Sequence, residues 1–309
     1  MLLRVGTRGS KLSLVQTDLV VARLLQEYPD LEIETVVIST AGDRDRETPL
    51  LSLNQKGIFE KEIDQAVVAG RVDFAVHSLK DLPTFESSSQ IVIGGVLERG
   101  STADVLVSQE GKTLKEMEPG SVVGTSSPLR VAQLKRIRPD LEERPIRGNV
   151  ETRVGKVDGV DYDGVILAEA GLTRLGIADR ISERLSLEDF IPAPCQGTIA
   201  AVARQGNGRM IGMLQVIEDS ATRAEAEAER ELVRVLEGGC KVPVGAVASC
   251  ISDTIRLTAY VLSVDGGQRL EAKRTGEMKD AVDVARKAGN DLLIQGAKGL
   301  EQGWRELTS

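Results

Sequence analysis

The 309-residue sequence predicts an α/β fold with two similar lobes, followed by a small C-terminal α+β domain. Short apolar runs alternate with amphipathic stretches through the first two-thirds of the chain, a pattern typical of α/β layers. The chain is too long for one ordinary hydrophobic core, which favours a division into two or three domains. From residue 221 the pattern changes to one charged amphipathic helix, paired strands and a closing helix.

The first unit opens with a predicted strand at Leu2–Val5 and a polar turn that leads into a helix. We expect this helix to bury an apolar face made of Leu14, Val15, Leu19, Val21, Ala22 and Leu25. The other elements predicted for this unit are a strand at Ile33–Ser39, a helix at Phe59–Ala69 and a strand at Asp73–Val76.

The second unit extends from about residue 102 to 190. Its predicted strands, Val122–Val123 and Val165–Ala168, flank a helix at Pro128–Arg138 that has proline at its first position. The segment Ile191–Gly197 is proline-rich and resembles a hinge or crossover. The elements predicted for the C-terminal part are helices at Ala221–Leu236 and Ala281–Ile294 and strands at Val242–Ile251, Ile255–Val264 and Gln268–Thr275.

The composition restricts the classes of partner. Hydrophobic residues make up 41% and charged residues 28%, as in soluble globular proteins. Aromatic residues make up only 3% and the net charge is -8, so we expect no nucleic-acid partner. We also expect a cytoplasmic protein without a membrane partner, because the sequence shows neither a signal peptide nor a spanning apolar run.

The three cysteines indicate a reducing compartment and no metal site. Cys195, Cys240 and Cys250 form no CxxC motif, and they have no metal-type spacing with the single histidine, His77. Cys240 follows two glycines at the end of a predicted helix, a turn that can project its thiol outward. Lys241 would favour the thiolate. A buried structural cysteine, or a disulfide with Cys250, remains the alternative.

Polar clusters follow the predicted strands of both units. The residues concerned are Arg8 with Ser10, Lys80 with Asp81, Thr125, Ser126 and Ser127 with Arg130, and Arg174. Ligands of open α/β sheets bind outside the carboxyl ends of the strands, where helix N-termini attract anions. Two such units facing each other would form an anion-lined cleft. Alternatively, these are ordinary polar turns.

Two further arginines, Arg147 and Arg153, flank a glycine turn. The arginine fork binds carboxylates, so several arginines together favour a polycarboxylate ligand, although a solvated charged loop would have the same composition. The sequence contains no Walker loop and no dinucleotide fingerprint.

The pair His77 and Ser78 does not indicate a hydrolase. Neighbouring residues of a strand point to opposite faces, and the chain lacks a G-x-S-x-G elbow. Asp81 differs, because it ends a buried strand and is followed by Pro83, which fixes the turn. Its carboxylate would stabilise a cation forming on a substrate, or else it pairs with Lys80 or caps a helix.

An ordered set of short motifs extends along the chain. The motifs are Thr7-Arg8-x-Ser10, Thr40-x-Gly42-Asp43, Lys56-Gly57-x-Phe59, His77-Ser78-Leu79-Lys80-Asp81-Leu82-Pro83, Gly124-Thr125-Ser126-Ser127, Arg147-Gly148-Asn149-Val150-x-Thr152-Arg153, Ala170-Gly171-Leu172-x-Arg174-Leu175-Gly176, Gln196-Gly197 and Leu236-Glu237-Gly238-Gly239-Cys240-x-Val242-Pro243. No single motif is decisive, but the ordered set is highly specific. In this set the chain resembles the porphobilinogen deaminase family.

The resemblance implies a monomer of three domains. Domain 1 (residues 1–97 and 197–217) and domain 2 (102–191) would be similar to the lobes of periplasmic binding proteins, and domain 3 (221–309) would carry a cofactor. That cofactor is a dipyrromethane joined by a thioether to Cys240. The implied reaction joins four porphobilinogen molecules head to tail into hydroxymethylbilane, with release of ammonia.

The resemblance also implies roles for the polar clusters. Asp81 would be catalytic, and a stretch including Lys56 could act as a lid. The residues implied for substrate binding are Arg8, Ser10, Lys56, Arg147, Arg153 and Arg174. The residues implied for cofactor binding are Lys80, Asp81, Thr125, Ser126, Ser127, Arg130 and Arg153.

Three positions depart from the family pattern. Leu129 stands where many members have the first of two arginines, so one cofactor carboxylate would lack its usual partner or find another. Cys195 replaces a common glycine, and Ser52 falls where some members have lysine. The main alternative function is a non-enzymatic two-lobed binding protein for a small acidic ligand. A regulatory effector-binding domain is a second alternative, but the chain has no room for a fused helix-turn-helix before its first strand.

Overall fold

A computed structural model of the chain describes residues 1–40, 61–84, 90–237 and 243–300. The described residues form two compact units. The first unit takes its residues from 1–100 and 197–223, and the second takes its residues from 101–196 and 224–300.

The strands and helices of the described residues are numbered in chain order. The strands are β1 (Leu2–Thr7), β2 (Glu32–Val37), β3 (Phe74–Ser78), β4 (Ile91–Val96), β5 (Asp104–Ser108), β6 (Val122–Gly124), β7 (Glu142–Arg144), β8 (Gly164–Ala168), β9 (Glu183–Arg184), β10 (Ile199–Arg204), β11 (Val244–Ile251), β12 (Thr254–Leu262) and β13 (Arg269–Glu277). The α-helices are α1 (Lys11–Glu27), α2 (Lys61–Val68), α3 (Pro128–Ile137), α4 (Val150–Val157), α5 (Glu169–Arg174), α6 (Gly208–Leu214), α7 (Ser220–Glu237) and α8 (Ala281–Ile294).

The first unit contains a five-stranded mixed sheet in the order β2-β1-β3-β10-β4. Strands β1, β2 and β3 are parallel, whereas β10 lies antiparallel between β3 and β4. The carboxyl ends of β1, β2 and β3 therefore share one edge of the sheet. Its core includes Val5, Leu24 and Phe74, each fully buried.

The second unit contains a similar sheet in the order β7-β6-β8-β5-β9. Strand β6 is parallel to β7 and β8, and β5 is antiparallel to β8. Asp104, at the start of β5, pairs with Ala168 at the end of β8. Asp104 therefore lies at the edge where the parallel strands end.

The C-terminal part of the second unit is an antiparallel sheet, β11-β12-β13, with α7 and α8 packed against it. The two helices approach closely at Gly289, where a Cβ atom would lie 2.7 Å from the Val235 side chain. Burial of Leu232, Leu257 and Ala285 makes this an independent small core.

Strand β11 is an edge strand whose outward N–H groups have acceptors. Ala246 N donates to Pro192 O at 3.0 Å, Ala248 N to Glu229 Oε1 at 2.6 Å and Cys250 N to Glu225 Oε1 at 2.8 Å. From Ala246 to Cys250, every second N–H of the edge is thus satisfied, which protects this part of the strand from pairing with another chain.

The two sheets of the second unit meet through an apolar cluster. It joins Leu129 and Ala132 of α3, Ile191, and Tyr260 and Leu262 of β12.

The predicted fold class is confirmed: two α/β lobes are followed by a small α+β domain. The predicted helix at Ala281–Ile294 matches α8. Sequence patterns did not predict β4, β5, β7, β9 or β10.

The predicted buried face of α1 was wrong. The buried residues of α1 are Gln16, Thr17, Val20 and Leu24, none of which belongs to the predicted apolar set, and Leu19 is 44% exposed. The polar pair can be buried because both side chains have partners. Gln16 Nε2 donates to Ser78 Oγ at 2.9 Å, and Thr17 Oγ1 donates to Ser13 O at 2.9 Å.

Among the helices of the described ranges, none combines the length and apolar character that crossing a bilayer requires.

Candidate functional site

The sheet edge of the first unit holds four of the predicted site residues. Arg8 follows the end of β1, and Ser10 caps α1, its Oγ accepting from Ser13 N at 3.2 Å. Lys80 and Asp81 follow the end of β3. Because β1 and β3 are parallel neighbours, all four residues emerge at the same edge.

Asp81 lies on a short, anchored 3-10 turn, Leu79–Asp81. Leu79 is 1% exposed, and its N–H donates to Thr198 O at 3.0 Å. Lys80 and Asp81 are exposed. The fold thus presents a carboxylate and an ammonium to solvent on a backbone that the sheet holds in place.

His77 and Ser78 have different surroundings. His77 is buried, and its Nε2 lies 3.4 Å from Asp64 Oδ1 on α2. Ser78 Oγ exchanges hydrogen bonds with the amide of Gln16. No nucleophile–base pair is formed between these two neighbours.

The sheet edge of the second unit begins with the loop of three hydroxyl residues after β6. Thr125 Oγ1 accepts from Ser127 N at 3.3 Å, and Ser127 Oγ caps α3 by accepting from Arg130 N at 3.5 Å. Ser126 Oγ donates to Ile146 O at 2.8 Å and accepts from Ile146 N at 3.0 Å. These bonds shape the loop and join it to the segment that precedes Arg147.

Arg130 is held in a buried network. Its Nε and Nη2 contact the two carboxylate oxygens of Asp104 at 2.9 and 2.7 Å. Its Nη1 donates to Ile166 O at 3.0 Å, and Nη2 also lies 3.4 Å from Gln196 Oε1. Four of the five guanidinium N–H groups are accounted for by these acceptors.

The glycine turn places two more arginines at this edge. Gly148 has φ +116°, a conformation that favours glycine, and α4 begins two residues later. Arg153 Nε donates back to Gly148 O at 2.7 Å. Arg147 and Arg153 are both half-buried.

Arg174 ends α5, the helix that follows β8. Burial lowers the pKa of Arg174 to about 10, because removal from water disfavours the charged guanidinium. An anion placed next to it would reverse that effect.

Several predicted residues lie outside the described residues. They are Lys56, with Ser52 and the rest of the proposed lid, and Cys240 with its neighbouring glycines and Lys241.

The structure accounts for the other two departures from the family pattern. Leu129 is 5% exposed and belongs to the apolar cluster between the sheets of the second unit. Cys195 has φ +63°, a left-handed conformation in which a non-glycine residue costs roughly 1–2 kcal/mol. Glycine would adopt that conformation without this cost.

Sequence reasoning missed Asp104 and gave Gln196 no role. Gln196 is fully buried, and its Nε2 donates to Asp104 Oδ1 at 2.7 Å and to Thr102 O at 2.9 Å. The sequence feature that could have indicated Asp104 is its place at the start of the apolar run Asp104–Val107. An acidic residue that is buried with such a run needs a polar partner.

Comparison with known families decides the family. The model of the porphobilinogen deaminase dipyromethane cofactor binding domain matches residues 3–212, and that of the porphobilinogen deaminase C-terminal domain matches residues 222–294. The chain belongs to the porphobilinogen deaminase family. The expected resemblance is thereby confirmed, and the non-enzymatic binding protein is not favoured.

Curated relatives in this family cover nearly the whole chain. A probable porphobilinogen deaminase of Nitrosopumilus maritimus is 47% identical, over 98% of this chain and 96% of that protein. The porphobilinogen deaminase of Xanthomonas oryzae pv. oryzae is 42% identical, over 96% and 98% respectively. That of Alkaliphilus metalliredigens is 38% identical, over 96% and 93%. These relatives are transferases, which confirms the predicted enzyme class.

Among solved structures, the methionine binding protein MetQ has a TM-score of 0.43 at 11% identity, covering 70% of this chain and 88% of that chain.

Proposed function

We propose that this chain joins four porphobilinogen molecules head to tail into hydroxymethylbilane, releasing one ammonia for each unit added. Family membership supports the reaction type. The structural observation that carries the proposal is Asp81, an exposed carboxylate on an anchored turn at the same sheet edge as Arg8 and Lys80.

The residues of the second-unit edge fit a dipyrromethane, whose pyrrole rings bear acetate and propionate groups. Guanidinium groups, hydroxyls and the first turn of α3 are the donors that carboxylates prefer. We propose that Lys80, Asp81 and this edge hold the cofactor, through Thr125, Ser126, Ser127, Arg130 and Arg153. Arg130 would donate about one hydrogen bond to the cofactor, since the other N–H groups of its guanidinium have acceptors within the protein.

We propose that the cofactor is attached to Cys240 by a thioether. In the sequence, this cysteine follows a glycine pair between α7 and β11. When bound, the cofactor supplies a free pyrrole carbon as the nucleophile for the first addition.

Asp81 is proposed as the catalytic residue. The aminomethyl C–N bond of porphobilinogen breaks, ammonia leaves with the electron pair, and a positive charge develops on the substrate. A fixed carboxylate stabilises that charge and accepts hydrogen bonds from pyrrole N–H groups. A new C–C bond then forms, the attacking carbon loses its proton, and water finally releases the product.

The arginines are proposed to hold the acidic side chains of the substrate. Each added unit brings two carboxylates to a protein whose net charge is already -8, so cations must be concentrated locally. We assign this role to Arg8, Ser10, Lys56, Arg147, Arg153 and Arg174. Arg174 is suited to it, because its burial makes an incoming carboxylate especially favourable.

We further propose a cytoplasmic monomer in which domain 1 (1–97 and 197–217), domain 2 (102–191) and domain 3 (221–309) are separate folding units. Chromatographic mass measurement and limited proteolysis would test this arrangement.

The activity is tested by incubating purified chain with porphobilinogen and measuring ammonia and tetrapyrrole together. We expect four ammonia molecules per tetrapyrrole released. Porphobilinogen binding without ammonia release would contradict the proposal and restore the binding-protein alternative.

A further inference from the structure

Asp104 is a buried charged group to which the proposed reaction gives no role. Its side chain is 1% exposed, and that of its partner Arg130 is 12% exposed. The carboxylate receives both arms of the Arg130 fork and the amide of Gln196. Three segments distant in sequence, the start of β5, the first turn of α3 and the crossover, are thereby joined.

This network lies at the proposed cofactor edge. Asp104 is paired in register with Ala168, the last residue of β8, and Arg130 also binds the carbonyl of Ile166 in that strand. Ser127, which caps α3, receives the N–H of Arg130. The charged pair therefore fixes the first turn of α3 against the end of the central strand.

We propose that Asp104 is a positioning residue for the cofactor-binding edge of the second unit. By neutralising and orienting Arg130, it holds the 125–127 loop and α3 in the arrangement that receives the cofactor carboxylates. Without Asp104, the Arg130 guanidinium would be free to turn toward any other anion, including those carboxylates. This inference rests on the proposed function, and it deepens that function.

The test compares two Arg–Asp pairs, one at each end of α3. Asp104→Asn removes the charge with little change in size. The matched control is Asp140→Asn, because Asp140 binds Arg138, the residue after α3, through an equivalent fork with contacts of 2.8 and 2.7 Å. Full-length chains are produced in cells that cannot make porphobilinogen, and cofactor loading is followed by intact mass after porphobilinogen is added.

We expect Asp104→Asn to load about 10- to 100-fold more slowly than wild type, as when a binding group is displaced by about 1 Å. Asp140→Asn is expected to load normally. Equal loading rates for Asp104→Asn and Asp140→Asn would overturn the proposal.

A double variant tests whether slow loading reflects lost stability alone. In Asp104→Asn combined with Arg130→Gln no unpaired buried charge remains, so the unfolding midpoint should recover toward wild type. Loading should stay slow, because the oriented guanidinium is still missing. If loading recovers together with the midpoint, the pair is only structural and the inference fails.

If Asp104→Asn alone does not fold, the cofactor loading rate of the double variant still tests the inference. Normal loading of the double variant would then overturn the inference. A wild-type chain that never loads would instead contradict the proposed function, so the two failures are distinguishable.

Discussion

The two sheet edges that carry the proposed site differ in how their charged side chains are held. At the first-unit edge, Lys80 and Asp81 are exposed, on a turn whose Leu79 is buried and donates its N–H to Thr198 O. At the second-unit edge, Arg130 is locked to the buried Asp104, and the hydroxyls of the 125–127 loop bond within the protein.

This difference indicates that the two edges have different roles. An exposed carboxylate on a rigid turn is available for chemistry and contributes little to stability. A buried ion pair instead shapes a preformed surface, and its loss damages the fold. Substitutions at the first edge should therefore alter function with little change in stability, whereas those at the second edge should alter stability and binding together.

The largest expected effect is on turnover, at the first edge. Asp81→Asn should lower kcat by about 10²- to 10³-fold or more, because the developing positive charge loses its counter-charge. The unfolding midpoint and the cofactor adduct should be unchanged, as in the control Asp18→Asn, an exposed acid of α1. Normal turnover of Asp81→Asn, measured by ammonia release, would contradict the catalytic role proposed for Asp81.

At the second edge, Asp104→Asn should lower the free energy of unfolding by about 3–5 kcal/mol, since it leaves the Arg130 charge buried without a counter-charge. Denaturant unfolding measures this loss. A free energy of unfolding equal to that of wild type would contradict the proposed difference between the two edges.

Arg174→Gln should raise KM for porphobilinogen by an amount equivalent to about 2–5 kcal/mol, the cost of removing one partner from a desolvated charge pair.

The pH dependence of stability and of substrate binding that Arg174 contributes has a defined sign. The folded pKa, about 10, lies below the ordinary value of 12.5, so between these values the unfolded chain binds more protons and stability rises with pH. Substrate binding should weaken as pH rises through about 10, because the cation is lost.

Arg174→Gln is also the control for the pH dependence of substrate binding, because it lacks the titrating guanidinium. Its KM for porphobilinogen should not rise above a pH of about 10. A parallel rise in both proteins would assign the titration to another group.

A smaller effect is expected at Leu129. Leu129→Arg, which restores the common family residue, should destabilise the chain by about 1–3 kcal/mol, because it forces a larger, charged side chain into the cluster with Tyr260 and Leu262. Leu129→Met, the control, should cost less than about 1.5 kcal/mol. Faster cofactor loading by Leu129→Arg without loss of stability would contradict this interpretation.

Local patterns were sufficient for the parts of the fold that depend on neighbouring residues. Helix α8 and strands β11 and β12 were predicted closely, since their apolar periodicity is strong and a glycine turn follows β12. The polar sheet edges were also predicted, because a strand that ends in a charged turn is visible in the sequence.

Features that depend on distant partners could not be predicted. Strand β10 joins the first sheet from beyond the second lobe, a long-range pairing that no local pattern reveals. The buried face of α1 was wrong because Gln16 is satisfied by Ser78, 62 residues away. Asp104 was missed for the same reason, since its partners Arg130 and Gln196 are brought to it only by folding.

Intact mass of the purified full-length chain tests the central claim most directly. Wild-type protein from cells able to make porphobilinogen should carry one dipyrromethane, Cys240→Ser should carry none, and the control Cys250→Ser should match wild type. A bare wild-type mass, or an adduct that persists in Cys240→Ser, would contradict a primer anchored at that sulfur.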